Sequence, residues 1–137
     1  MRESARMAAL GAGALIVFCA GFALGQLPAP HGDQLVEQTL LASVDLTKAV
    51  ARPGDRELRL SRVNVAPHGH IGLHSHADDP TVVYVVSGVL TNHQDDGTTN
   101  EVRAGEAFAE FGPKSHWIEN AGSTPATFVF ASVSRRQ

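Results

Sequence analysis

His74 and His76 are separated by a single serine. In an extended strand, residues two apart point to the same face, so the two imidazoles stand side by side. That spacing suits one divalent transition-metal ion. A third histidine, His116, follows forty residues after His76, beyond Gly105 and Gly112-Pro113, where a neighbouring strand can bring it to the same point. A His-x-His pair alone also serves as a packed or solvated structural pair, so the reading depends on what positions the third imidazole. The chain holds 7 histidines, most of them between His68 and His93.

The elements that must position them are short and β-type. LRLSRVNV (58–65) is followed by Ala66-Pro67-His68-Gly69, and TVVYVVSG (81–88) is rich in β-branched residues. Asp95-Asp96-Gly97 marks a hairpin before TTNEVRA, Gly112-Pro113 separates EAFAEF from HWIEN, and PATFVFASV (125–133) is a last run. Ser43–Val50 reads equally as a strand or a short helical turn. Six or seven strands at this spacing predict an all-β sandwich or barrel. A length of 137 residues allows one ordinary domain and excludes a separate nucleotide-binding half. The formal net charge is −3 with no run of like charges, which argues against nucleic acid as a partner.

The first residues read as an address. Arg2 and Arg6 precede the uncharged stretch AALGAGALIVFCAGFALG (8–25), and Ala23-Leu24-Gly25 offers small residues before Gln26. Residues 1–25 are therefore expected to be a signal peptide, with an uncleaved anchor over 8–25 as the alternative. Either way the remainder is expected outside the cytoplasm, periplasmic or secreted. The only cysteine, Cys19, lies inside this stretch, so the mature chain must hold together by packing without disulfides. Residues 26–38, with LPAPHGDQ, read as a flexible linker in which His31 is solvated, and 39–137 as the domain.

The order and spacing of these residues resemble the cupin superfamily, whose first motif is G-x5-HxH-x4-E-x6-G and whose second is G-x5-P-x-G-x2-H-x3-N. His74, His76 and Gly88 match the first; Gly105, His116 and Asn120 match the second. The resemblance runs from about Leu58 to Val133 and implies an antiparallel cupin-type β-barrel, a double-stranded β-helix of jelly-roll kind. It implies His74, His76 and His116 as metal ligands. His68, Phe111 and Pro113 depart from the pattern at turn positions, and Thr81 stands where the ligand glutamate is usual.

A hydroxyl is a far poorer ligand than a carboxylate, so Thr81 leaves three outcomes open. The three histidines hold the ion alone; a carboxylate from Glu110, Asp78 or Asp79 takes over; or the histidines serve as hydrogen-bonding groups in a metal-free cavity. Three neutral imidazoles leave the charge of a divalent ion uncancelled, which favours a small anionic organic ligand. Iron, zinc, manganese, nickel and copper all suit the donor set. Glu110 is the candidate general base or replacement ligand, and Tyr84 and Trp117 are candidates for the substrate pocket. His68 and His70 are expected in a bent loop, His93 in solvent, Glu106 in a turn and Asn120 securing the loop after His116. The resulting expectation is metal-dependent chemistry, dioxygenase-like before isomerase or hydrolase. The alternative is a non-catalytic module that binds a small molecule or a metal. The apolar run Thr39–Leu46 is expected to join a second copy in a homodimer.

Overall fold

A computed structural model describes residues 28–52 and 54–136; the expected signal peptide lies outside them. The described residues form six strands: β1 (Gln34–Asp45), β2 (Arg56–Ser87), β3 (Val89–Gln94), β4 (Thr99–Arg103), β5 (Ala107–Glu119) and β6 (Ala126–Arg135). A 3-10 turn, Leu46–Lys48, follows β1, so the ambiguous 43–50 stretch is strand first and helical turn second. All pairings are antiparallel, and the order β1-β2-β5-β3-β4 is joined by β6 on β2. The fold is an all-β barrel of the expected class.

The long β2 carries the architecture. Its first limb, Arg56–Val65, and its last, Thr81–Ser87, both pair with β6, while the stretch from His70 to His76 crosses to pair with the end of β5. This winding places the histidine-bearing stretch opposite His116. The breaks expected at 66–69 and at Gly112-Pro113 are bends within strands. At the first, His68 adopts φ +62° and Gly69 is pressed against the Gln34 and Leu35 carbonyls; at the second, Gly112 takes φ +85° and the register with β2 shifts.

Period-2 alternation sorts the side chains. Val63, Val65, Val83, Val85, Leu90, Ile118, Ala126 and Phe128 form the buried core. Val82, Tyr84 and Val86 point the other way and are about half exposed. Tyr84, three residues from the inward Thr81, therefore cannot line the interior: it lies on the outer face opposite Val129. The N-terminal boundary also moves. β1 begins at Gln34, inside the expected linker, and pairs with β2 from Gln34↔His70 to Asp45↔Glu57.

Two features hold the turns that close the barrel. Gly88 takes φ +80°, and a Cβ there would lie 2.8 Å from Ala126, so conformation and space both require glycine. Asn120, 2 % exposed, donates to the carbonyls of Val65 and Thr124 and accepts from the Gly122 amide. Asn120→Ala strips buried backbone groups of partners, and chemical denaturation is expected to show a loss of about 2–4 kcal/mol.

Candidate metal centre

The crossing of β2 over β5 delivers the three imidazoles to one point. The register His74↔His116 makes those residues direct cross-strand partners, and a bulge after Ser75↔Ser115 brings His76 beside them. Ring centroids lie 4.4 Å apart for His74 and His116, 5.1 Å for His74 and His76, and 5.3 Å for His76 and His116. One donor nitrogen from each lies within 4.8 Å of the others.

Hydrogen bonding fixes which nitrogen each ring presents. His74 Nδ1 lies 2.7 Å from the Gly72 carbonyl oxygen, and His76 Nδ1 2.9 Å from that of Asp79. Carbonyls only accept, so both Nδ1 atoms carry the proton and donate it. His116 Nδ1 is 3.0 Å from Asn92 Oδ1, which also accepts from Gln94 Nε2, so it donates likewise. In the neutral rings all three Nε2 atoms are thereby left with lone pairs. Those of His76 and His116 are buried without a hydrogen-bond partner, an arrangement costly unless a cation supplies the missing interaction. Donor types, tautomers and outer partners therefore fit a divalent transition ion.

Thr81 does not act in place of a glutamate. Its hydroxyl donates to the Asp79 carbonyl at 2.9 Å and receives His76 Nδ1 at 3.1 Å, so it orients the His76 ring. A carboxylate faces it from across the ladder, where Thr81 pairs with Glu110. Glu110 Oε2 lies 3.1 Å from His76 Nε2, off the line of a hydrogen bond, and Oε1 3.3 Å from His116 Nδ1. Two donors bound at right angles to one metal at about 2.1 Å are about 3 Å apart, so the His76–Glu110 spacing is compatible with a shared cation. The Glu110 carboxylate holds His76 above the usual imidazole range, against the effect of burial. Burial pushes His116 below it.

Neither of the other two carboxylates joins the cluster. Asp79 Oδ1 accepts from Ser134 Oγ at 2.6 Å, while Asp78 is exposed and its carbonyl receives Arg56. Trp117 follows His116 directly and so faces away from it. Its ring stacks on His93 at 3.8 Å, and His93 Nε2 meets Glu119 at 2.9 Å. His93 is thus packed and paired instead of solvated, and Trp117 supports the sheet instead of a pocket. His68 is exposed at its bend, and Glu106 accepts from the Arg103 amide in a turn.

Two cavities flank the cluster. One of about 350 Å³ runs from His74, His76 and Glu110 along Val83, Phe128 and Phe130. The other, about 330 Å³, shares His76 and Glu110 and reaches Asn92, Lys114 and His116. Asn92, 6 % exposed, is the residue that sequence reasoning missed; its parity with buried Leu90 after Gly88 was the available signal. Asn92→Ala removes the acceptor at 3.0 Å from His116 Nδ1 and leaves it only Glu110 Oε1 at 3.3 Å, and competitive titration is expected to show about 10- to 100-fold weaker metal binding.

Comparison with known proteins agrees with this architecture. The family model described as "Cupin domain" matches residues 61–132. A predicted oxalate decarboxylase of Thermotoga maritima superposes with TM-score 0.59 at 23 % identity, covering 78 % of this chain and 94 % of that one. The polyketide cyclase RemF of Streptomyces resistomycificus gives TM-score 0.61 at 23 % identity, over 78 % and 70 % of the two chains. KdgF from a Halomonas species gives 0.56 at 19 %, over 78 % and 88 %. At these identities the likeness concerns the fold. No curated protein matches the chain. Together with the family match over the motif-bearing strands, the winding of β2 and β5 around three converging histidines makes this chain a member of the cupin superfamily.

Proposed function

We propose that the chain is an exported, metal-dependent cupin enzyme acting on a small organic monoanion, with oxygenation as its leading chemistry. The observation that carries this reading is the pair of buried, unpartnered Nε2 atoms of His76 and His116 beside the Glu110 carboxylate. An ion held by His74, His76 and His116 would supply a Lewis-acid centre with open positions and, as iron, a site for dioxygen. The protein's own groups do the rest. Asn92, Thr81 and the Gly72 and Asp79 carbonyls keep the imidazoles aimed. Glu110 can take a proton from a bound acid and hold it at Oε2, and its presence at the metal face favours catalysis over passive binding. Val83, Phe128 and Phe130 give the larger cavity an apolar wall, and its lining includes Asp33 and Asp79 and neither Lys nor Arg. An anionic group there finds its countercharge at the metal, which suits one negative charge on an apolar body better than several. The test is dioxygen uptake by Fe(II)-loaded protein across small carboxylates and enolisable ketones, with the Zn(II)-loaded protein assayed in parallel for isomerisation and hydrolysis.

The oxidising destination is part of the same proposal and rests on the basic start and apolar middle of residues 1–25. A homodimer is proposed from the outer sheet face. Val44, Leu58 and Val133 lie in one cross-strand row, and Ala42, Leu60, Ala131 and Val82 in the next. Tyr84 continues this apolar surface, which a second copy would cover. Sedimentation equilibrium of the mature protein is expected to give twice the chain mass; a monomer would contradict it.

A further inference from the structure

The segment just before β1 contacts the protein where one ligand is held. Between the pairs Ile71↔Ile118 and His74↔His116, β2 carries one residue more than β5. This bulge releases the amides of Gly72 and Leu73 from the ladder. Both are taken by the incoming chain: Gly72 N–H donates to Asp33 Oδ1 at 2.9 Å, and Leu73 N–H to the Pro30 carbonyl at 2.7 Å. The Leu73 amide belongs to the same peptide unit as the Gly72 carbonyl, which accepts the His74 Nδ1 proton at 2.7 Å. An unbroken hydrogen-bond relay thus runs from Pro30 through one peptide group to the imidazole, each bond polarising the next. Gly72 has no room for a side chain, because a Cβ would fall 2.7 Å from Gly32 N and 2.8 Å from its Cα.

We infer that residues 30–33 are a positioning clamp for His74, locking the peptide that fixes its tautomer and aim and forming one lip of the larger cavity through His31 and Asp33. The inference rests on the metal-binding reading for its consequence, though not for its geometry. Outer partners of metal-bound histidines set ligand orientation, so loosening the clamp weakens the site without removing a ligand. Gly72 lies outside the left-handed region, so alanine suits its backbone, and only the clamp stands in the way.

The test uses the full chain, with Zn(II) as probe in competition against a chelating dye. Gly72→Ala displaces the clamp by its methyl group, and Asp33→Ala removes one anchor. Both are expected to bind Zn(II) about 10- to 100-fold more weakly than the parent. In the metal-free parent, hydrogen exchange at the Gly72 and Leu73 amides is expected to be as slow as at Val63 in the ladder, and nitrogen-15 shifts should report His74 protonated at Nδ1. Fast exchange at those two amides would overturn the clamp, whether or not the variants fold. Zn(II) affinity within twofold of the parent in both variants would overturn its positioning role. A parent that fails to bind Zn(II) while keeping both amides protected would count against the metal reading and leave the clamp standing.

Discussion

Replacing Glu110 by glutamine is expected to lower turnover by about 10²- to 10⁴-fold, the range typical of losing a positioned general base, while bound metal stays near the parental level. Glutamine keeps the size of the side chain and an oxygen within reach of Asn92 Nδ2, which lies 3.5 Å from Glu110 Oε1. What it removes is the charge beside His76 Nε2. Glu110 stands outside the set of donors that all lie within 4.8 Å of one another, so the three histidines alone are expected to retain the ion. Metal analysis beside steady-state rates separates the cases. Parental turnover would remove Glu110 from the chemistry, and loss of both metal and turnover would make it a ligand.

The second large effect is expected from His116→Ala. His116 is 4 % exposed, sits between its cross-strand partners His74 and Gln94 and donates to a buried Asn92. If a site worth about 10–16 kcal/mol is shared among three or four donors, each contributes about 2.5–5 kcal/mol. Its removal should then weaken metal binding by roughly 10²- to 10⁴-fold. Competitive titration of the variant reads this directly, and parental affinity would show that the lone pair at Nε2 faces no ion.

What could be read from the sequence follows from the period of a strand. The His74–His76 pair, the turn glycine Gly88 and the loop-securing Asn120 all depend on local geometry, and the structure places them accordingly. The same parity also bears on Trp117 and Tyr84, since a neighbour of His116 and a residue three beyond Thr81 must face outward. Glu110 was visible only as a candidate, because its place opposite Thr81 depends on how many residues the bulges between His76 and Thr81 absorb. The clamp at 30–33 was hidden for a different reason. Pro, Gly and Asp compose a flexible linker and a docked strap equally well, and what docks this one is a pair of amides freed by a bulge in another strand.

The most direct measurement is the metal content of the mature protein, purified without chelator or affinity nickel, beside a His74→Ala/His116→Ala variant. The convergence of three Nε2 lone pairs predicts close to one equivalent of a divalent transition metal in the parent and its loss in the variant. An empty parent that also takes up no iron, zinc, manganese, nickel or copper on titration would contradict the metal centre.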